Sequence, residues 1–310
     1  MDRKSVTVES YANIAIVKYW GKADAEKMIP STSSISLTLE DMVTKTTLTF
    51  LENATSDSMF IDDIEQGEAE LVKASKVLDL FRTDDTQYVK IETWNNMPTA
   101  AGLSSSSSGL SALVKAANDL FGAGKTQAEL AQIAKFASGS SSRSFFGPLA
   151  AWDKDSGEVY RVQTDLNLAM IMLVLNDQRK AISSREGMKL CTETSTSFPE
   201  WIKQSEQDYK AMLTYLAEND FDKVGQLTEA NALRMHETTR TATPSFSYLT
   251  EASYAAMEKV KALRDAGERC YFTMDAGPNV KVLCLEEDLD RLASIFAEDY
   301  HVIVSRTKKL

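Results

Sequence analysis

Histidine is scarce in this chain of 310 residues, where only His236 and His301 occur. So few histidines argue against a histidine dyad and against a multi-histidine metal site. We interpret both histidines as structural and expect a carboxylate or a lysine to do any general base work. Cys191, Cys270 and Cys284 lie far apart without a C-x-x-C pair. This spacing argues against a disulfide framework and a thiolate metal site, and it fits a reducing cytoplasm.

Long apolar runs and excess positive charge are also missing. The opening "MDRKSVTVES" lacks the apolar core of a signal peptide, and "LNLAMIMLVL" is too short to span a bilayer, so we predict a buried strand there. The net charge of -11 argues against nucleic acid as a partner. Hydrophobic residues at 43% and charged residues at 25% are typical of a folded soluble protein, and the length permits two domains.

The most informative stretch is "PTAAGLSSSSSGLSALVKAANDLF", from Pro98 to Phe121. Apolar residues after the serines recur at three-and-four spacing, which predicts a helix beginning at or just before Gly109. The preceding "VKIETWNNMP" is typical of a strand. A strand, a loop of small residues and a helix N-terminus aim free backbone N–H groups at one point, which suits a phosphate. A serine-rich linker is the alternative, but linkers rarely join two elements that must pack together.

A second glycine-rich stretch, "GAGKT" at 122–126, resembles the end of a Walker A loop. That pattern needs a glycine five residues before its second glycine, and Asp119 stands there. The stretch also follows a predicted helix, so we interpret it as a helix stop and turn.

The order of predicted elements divides the chain into two parts. The first part alternates strands with loops and holds the serine stretch and a second helix, "TQAELAQIAKFA". The later part is mostly helical, followed by the hairpin "CYFTMDAGPNVKVLCL", a further helix and a last strand, "YHVIVSR". We place the boundary near Asp177, which gives domains of residues 1–177 and 178–310.

Four short segments have compositions that core packing does not explain. They are "NIAIVKYWGK" with Lys18 and Lys22, the serine loop, "ASGSSSR" ending in Arg143, and "MDAGPN" with Asp275. Taken singly, each has an ordinary explanation, since lysines are often solvated, loop arginines pair with acids and aspartates cap turns. Their occurrence together in one chain is a far more specific signal of function.

In order and spelling, "ANIAIVKYWGK", "PTAAGLSSSSSG", "SGSSSRS" and "MDAGPN" resemble the motifs of the diphosphomevalonate decarboxylase family. This family belongs to the superfamily of galactokinase, homoserine kinase, mevalonate kinase and phosphomevalonate kinase. The resemblance runs from about Tyr11 to Asn279. The serine loop alone indicates only the superfamily, whereas "KYWGK" and "SGSSSR" narrow it to the decarboxylases.

The resemblance implies an α+β fold of two domains with the active site in the cleft between them. The N-terminal domain would be similar to the second domain of ribosomal protein S5 and the C-terminal domain would be ferredoxin-like. The implied reaction is the ATP- and Mg²⁺-dependent conversion of mevalonate 5-diphosphate to isopentenyl diphosphate, with release of ADP, phosphate and carbon dioxide. We also expect a homodimer that binds neither nucleic acid nor membrane.

Site residues follow from the resemblance by matching positions. Asp275 would orient or deprotonate the reacting hydroxyl, Arg143 would bind the substrate carboxylate, and Lys18 would supply positive charge beside them. The residues expected to bind the substrate are Tyr19, Trp20, Gly21, Lys22, Ser138, Gly139, Ser140, Ser141, Ser142, Arg143 and Ser184. The residues expected at ATP are Ser105, Ser106 and Gly109, with Ser106 as the metal ligand.

Two other functions remain open at this point. Another small-molecule kinase of the superfamily, such as a mevalonate 3-kinase, would stop after phosphorylation, so release of carbon dioxide separates it from a decarboxylase. A noncatalytic nucleotide or isoprenoid sensor would be expected to lose Asp275 or the serine loop, and this sequence keeps both.

Overall fold

A computed structural model describes residues 4–24, 26–97, 105–176 and 181–310. Asp177 and the first part of the serine stretch, 98–104, lie outside the described residues, as does the side chain of Ser105. The strands are β1 (Ser5–Val17), β2 (Lys22–Asp24), β3 (Ile29–Pro30), β4 (Ser34–Phe50), β5 (Ser58–Ile61), β6 (Ile64–Glu65), β7 (Val89–Asn95), β8 (Leu149–Trp152), β9 (Val159–Val162), β10 (Leu168–Val174), β11 (Cys270–Met274), β12 (Val280–Leu285) and β13 (His301–Arg306).

The α-helices follow the apolar periodicity of the sequence, and several begin at a side-chain cap. Thr126, Ser183 and Thr250 each form a capping box at a helix N-terminus. The helices are α1 (Glu68–Leu78), α2 (Ser105–Leu120), α3 (Gln127–Ala137), α4 (Ser184–Thr194), α5 (Phe198–Ala217), α6 (Phe221–Arg240), α7 (Glu251–Asp265) and α8 (Leu289–Ala297).

Two main sheets organise the fold. The larger sheet has the order β6-β5-β7-β4-β8-β9, with β1 also paired to β4, and the smaller has the order β11-β12-β10-β13. The α+β class predicted from the sequence is thus confirmed. Strand β10 pairs with β12 and β13, so it belongs to the smaller sheet although it precedes Asp177. The domain boundary at residue 177 stays a prediction.

The two halves share one hydrophobic core. The end of β1 and the start of β4 are buried along their whole length, because both faces of the sheet are covered there. Ile14 and Leu37 of the larger sheet pack in one cluster with Met172 of β10 and Met212 of α5. The carboxyl end of β1, which leads directly into Lys18, is therefore held from both sides.

Local structure differs from the sequence predictions at two site segments. Helix α2 begins at Ser105, four residues before the predicted start at Gly109, because serine is tolerated in a first helical turn. The predicted loop "ASGSSSR" is instead a 3₁₀ helix over Gly139–Phe145, in which short hydroxyl side chains bond the preceding turn. This rigid turn fixes where Arg143 points.

Candidate active site

A cavity of about 750 Å³ is lined by the larger sheet, α2, the 3₁₀ helix, α4, α6 and the turn after β11. All four sequence segments reach this one cavity, although Lys18 and Asp275 are more than 250 positions apart in the chain. The predicted site residues on its wall are Lys18, Tyr19, Trp20, Lys22, Ser106, Gly109, Ser138, Gly139, Ser140, Arg143, Ser184 and Asp275.

Three predicted site residues lie behind the wall. Gly21 has φ of 107°, and a Cβ there would lie 2.5 Å from the ring of Phe198, so only glycine fits. The hydroxyls of Ser141 and Ser142 donate to backbone carbonyls three residues earlier, at 2.8 and 3.0 Å. The geometry gives these residues a part in holding the backbone, and their direct contact with a substrate stays a prediction.

Asp275 lies between two lysines. Lys18 Nζ donates to Asp275 Oδ1 at 2.8 Å, and Lys281 Nζ lies 3.0 Å from Oδ2. The lysine side chains are 2% and 0% exposed, whereas Asp275 is 23% exposed. Lys18 Nζ also donates to the carbonyl of Ala15 at 2.8 Å. The carboxylate is thus held from the protein side and remains reachable from the cavity.

Charge and burial oppose each other in this cluster. Burial alone would raise the pKa of Asp275, but Lys18 and Lys281 outweigh it and hold the pKa of that carboxyl well below its usual range. Burial lowers the pKa of Lys18 to about 8, although its bond to Asp275 works in the opposite direction. Asp275 is therefore ionised at neutral pH, and Lys18 is a cation that loses its proton under mildly alkaline conditions.

Arg143 is a buried cation held by neutral groups. Its Nε donates to Ser36 Oγ at 3.0 Å and its Nη1 donates to Ser34 Oγ at 2.7 Å, while the side chain still reaches the cavity wall. Burial lowers the pKa of Arg143 to about 10, so the guanidinium stays protonated near neutral pH. Two hydroxyls fix the plane of the fork without cancelling its charge, which suits a bound anion.

The serines of α2 divide into two groups. Ser108 Oγ lies 2.7 Å from Thr44 Oγ1, and Ser107 Oγ accepts from the backbone N–H of Asn13 at 3.4 Å. Both hydroxyls therefore make hydrogen bonds to the strands of the larger sheet. Ser106 is exposed and lies on the cavity wall with Gly109. Of the serines that the structure describes in this stretch, Ser106 is the one that faces the cavity at the start of the helix.

Tyr19 is wedged between the 3₁₀ helix and Trp152. Its ring centroid lies 5.2 Å from that of Trp152, and a Cβ added at Gly139 would lie 2.8 Å from the Tyr19 ring. The Tyr19 hydroxyl is buried and has no hydrogen-bond partner among the described residues. Because burial raises the pKa of Tyr19 to about 12, this hydroxyl keeps its proton and can donate to a ligand in the cavity.

Gly139→Ala is expected to push Tyr19 out of place, because the added Cβ would overlap the Tyr19 ring, which also packs against Trp152. A misplaced binding group of this kind should raise the KM for the acidic substrate about tenfold or more, with a smaller change in the KM for ATP. Steady-state kinetics with each substrate varied would measure both. Gly67→Ala, where an added Cβ meets no described residue within 4 Å, is the matched control. An unchanged KM in Gly139→Ala would contradict the placement of Tyr19.

Sequence reasoning missed three residues at the site. Asn13 lies within the first motif, and its Nδ2 donates to the carbonyl of Ser140 at 2.9 Å. Lys281 interrupts an otherwise apolar strand, a signal that was visible in "VKVLCL". Arg185 lines the cavity directly after Ser184 and had no signal of its own beyond its charge.

The segment that carries Lys18 is anchored on the second half of the chain. Asn231 Oδ1 of α6 accepts from the Lys18 backbone N–H at 2.8 Å, and Asn231 Nδ2 donates to Asp208 of α5 at 2.8 Å. Trp201 Nε1 of α5 donates to the carbonyl of Trp20 at 2.9 Å. Two helices thus fix the backbone from which Lys18 and Tyr19 project.

Comparison with known proteins covers nearly the whole chain. Residues 10–161 match the diphosphomevalonate decarboxylase-like N-terminal domain, and residues 170–309 match the mevalonate 5-diphosphate decarboxylase C-terminal domain. The diphosphomevalonate decarboxylase of Candida albicans is 30% identical over 320 residues, which cover 96% of this chain and 88% of that relative.

Solved structures agree with these matches. Mevalonate pyrophosphate decarboxylase from Streptococcus pyogenes is 66% identical with a TM-score of 0.96, covering 100% of this chain and 98% of the other. The structure of MDDEF in complex with MVAPP, AMPPCP and magnesium is 38% identical with a TM-score of 0.92, covering 98% and 97%. Sequence, fold and the cavity in which all four motifs meet lead to one conclusion: the chain belongs to the diphosphomevalonate decarboxylase family.

Proposed function

We propose that this protein catalyses the ATP-dependent decarboxylation of mevalonate 5-diphosphate to isopentenyl diphosphate, with release of ADP, phosphate and carbon dioxide. The single observation that carries the proposal is the ionised Asp275 at the cavity wall, held by Lys18 and Lys281 and accompanied by buried Arg143. One anion among three cations leaves two positive charges in excess. A substrate that brings a carboxylate and phosphates supplies the missing negative charge.

Asp275 would receive the tertiary hydroxyl of the substrate. The carboxylate accepts the hydroxyl hydrogen bond and turns the oxygen towards the phosphate donor, and it takes the proton as the oxygen–phosphorus bond forms. Its low pKa makes it a weak base, so its main contribution is orientation, with proton transfer late in the step. The phosphorylated oxygen can then leave with its bonding electrons as the neighbouring carboxylate is lost as carbon dioxide.

Arg143 would bind the substrate carboxylate through the part of its fork that Ser34 and Ser36 leave open. Lys18, between Ala15 and Asp275, would place its positive charge beside the transferring phosphate. These roles place the hydroxyl, the carboxylate and the phosphate donor around one point of the cavity.

The substrate diphosphate would lie at the end of the cavity formed by Lys22 and Arg185. Burial, together with repulsion by Arg185, lowers the pKa of Lys22, and repulsion of this kind is relieved by a bound anion. The buried Tyr19 hydroxyl, Ser138, Ser140 and the first residue of α4, Ser184, would add hydrogen-bond donors.

The wall near α2 fits ATP and Mg²⁺. Ser106 presents an exposed hydroxyl at the start of a helix of 16 residues, and Met59, Ile61 and Leu110 add an apolar surface suited to a base. A Cβ added at Gly109, on the same wall, would meet no described residue within 4 Å. We therefore assign Ser106 to the metal and phosphates, with Ser105 beside it in the chain. The metal would neutralise phosphate charge beside the Ser106 hydroxyl.

The decisive experiment is incubation with ATP, Mg²⁺ and mevalonate 5-diphosphate, with ADP and carbon dioxide measured together. Equal amounts of both products are expected. ADP without carbon dioxide would mean a kinase that stops after phosphorylation, and neither product would overturn the proposal. A chelator should abolish both signals.

Location and assembly belong to the same proposal. Within the described residues, no helix is both long and apolar enough to cross a bilayer. We propose a cytoplasmic homodimer, and light scattering of the purified protein would give its mass in solution.

The pKa of Lys18 predicts the alkaline limit of activity. As the pH rises through about 8, Lys18 loses the positive charge that it would place beside the transferring phosphate, so kcat/KM should fall. Loss of folding is not the cause expected from this group. Its pKa is lower in the folded chain than its ordinary value, so its contribution to stability grows between about pH 8 and 10.5.

The assignment can be checked by recording pH profiles of kcat/KM, with thermal melting at each pH. In Lys18→Arg the remaining activity should persist above the wild-type limit, because arginine keeps its proton. Lys22→Arg serves as the comparison, since Lys22 also has a lowered pKa on the same wall. If the alkaline limit moved in Lys22→Arg but not in Lys18→Arg, the titrating group would be Lys22, and the assignment to Lys18 would be wrong.

A further inference from the structure

Lys281 is a fully buried lysine in the middle of the smaller sheet. It lies on β12 between Met172 of β10 and Thr273 of β11, with no exposed side-chain surface. Burying a lysine is costly unless its charge is paired, and an apolar residue would pack at this position more cheaply. Lys281 Nζ lies 3.0 Å from Asp275 Oδ2. The charge of the buried lysine is therefore placed against the reacting carboxylate.

The two lysines of the cluster occupy different positions relative to the cavity. Lys18 is part of the cavity wall and bonds Asp275 Oδ1, whereas Lys281 is not among the residues lining that wall and approaches Oδ2 from within the sheet. A carboxylate held at one oxygen can rotate, whereas one held at both oxygens from different directions keeps a single orientation.

Lys18 is the lysine that a substrate would draw away. When a phosphate enters the cavity, the hydrogen bonds of Lys18 have a new acceptor, and each one that turns towards it weakens the hold on Asp275. Lys281 has no such competition from the cavity, because its side chain reaches Asp275 from the sheet.

We propose that Lys281 is a positioning residue for the reaction: it keeps Asp275 charged and correctly oriented from behind, so that Lys18 can turn its hydrogen bonds towards the transferring phosphate. This inference rests on the proposed function, in which Asp275 receives the substrate hydroxyl. It gives each lysine one task, with Lys281 serving the carboxylate and Lys18 serving the substrate.

The surrounding charges define what should change when Lys281 is removed. The titratable groups facing Lys18 are Asp275, Lys281 on β12, Arg143 on the 3₁₀ helix and His236 on α6. Burial, with repulsion by Lys18, lowers the pKa of His236 to about 3, so this imidazole is neutral. Lys281 and Arg143 each add repulsion that lowers the pKa of Lys18.

The test is Lys281→Met, which keeps an unbranched side chain of similar length without the charge. The expected result is a fall in kcat of about 10- to 100-fold, by analogy with the loss of outer-shell partners that orient metal ligands, with little change in the KM for ATP. The alkaline limit of kcat/KM should also move to higher pH, because Lys18 loses a repelling neighbour. A Lys281 side chain that acted only through packing, without its charge beside Asp275 and Lys18, would not move that limit.

Thr273→Val is the matched control. Thr273 is the cross-strand neighbour of Lys281, is fully buried, and has a hydroxyl without a partner among the described residues. Its pH limit should equal that of the wild type. If Lys281→Met does not fold, Lys281→Gln carries the same test, since it also removes the charge and retains a hydrogen-bond donor.

A wild-type rate in a folded Lys281 variant would overturn the inference. So would a lowered rate whose alkaline limit stays where the wild type has it, because Lys281 would then act only through packing. Failure of the wild-type protein to release ADP and carbon dioxide would overturn the proposed function instead, so the two failures can be told apart.

Discussion

Asp275→Asn is expected to lower ADP and carbon dioxide production together by about 10²- to 10⁴-fold. This is the usual contribution of a positioned side chain that accepts a proton from the reacting group. Asparagine keeps the size of the side chain and removes its charge. Lys18 and Lys281 then lose their common anion, so two buried cations are left without it. The loss should lie towards the upper end of the range, because the positive charge of Lys18 also becomes harder to maintain.

Rates of ADP and carbon dioxide release in the same sample provide the measurement, with ATP binding measured separately to confirm an intact nucleotide site. Asp62→Asn is a suitable control, since Asp62 also lines the cavity and its φ of 51° is one that asparagine tolerates. ADP release at the wild-type rate with carbon dioxide lost would show that Asp275 acts after phosphoryl transfer, contrary to the role proposed here.

Arg143→Lys should reduce kcat/KM for mevalonate 5-diphosphate by about 100-fold or more, although the charge is retained, because truncating a buried, charged hydrogen-bonding group typically has an effect of this size. The wild-type fork uses Nε and Nη1 for Ser36 and Ser34 and still offers a further edge to a ligand. A lysine ammonium is a single point and cannot bond both serines and a carboxylate in one plane.

A substrate analogue without the carboxylate sharpens this test. Calorimetry should show that Arg143→Lys weakens binding of the natural substrate and leaves binding of the analogue nearly unchanged. Equal weakening of both ligands would mean that Arg143 shapes the cavity without touching the carboxylate. Near-normal turnover would mean that the arginine is only structural.

Local patterns in the sequence predicted much of the fold and singled out segments that line the cavity. The helix after the serines and the strands on either side of "DAGPN" were predictable, because each depends on residues close together in the chain. The meeting of the four motifs in one cavity depends on residues far apart, and only the family resemblance implied it. The resemblance supplied the roles, which spacing alone did not. The start of α2 and the 3₁₀ helix at "SGSSSR" were not predicted, because runs of serine have weak preferences that packing decides.

Lys281 and Asn231 show why the rest was out of reach. Lys281 meets Asp275 only when β11 and β12 pair. Asn231 accepts a hydrogen bond from a backbone N–H that lies 213 positions earlier in the chain. Neither relation leaves a trace in spacing or composition. Long-range contacts of this kind follow from the tertiary fold, so a single sequence indicates that Lys281 is unusual without indicating what it serves.

The hydrogen bonds from α5 and α6 to the segment after β1 have a practical consequence when this protein is divided into fragments. Cut between the two sheets, the first fragment would display Trp20 without Trp201, and the second would carry Asn231 without the backbone N–H of Lys18. Neither piece could place Lys18. The pair should instead behave as a complementation system, in which turnover returns only when both fragments are present, and fusing interacting proteins to the two ends would convert their encounter into measurable ADP.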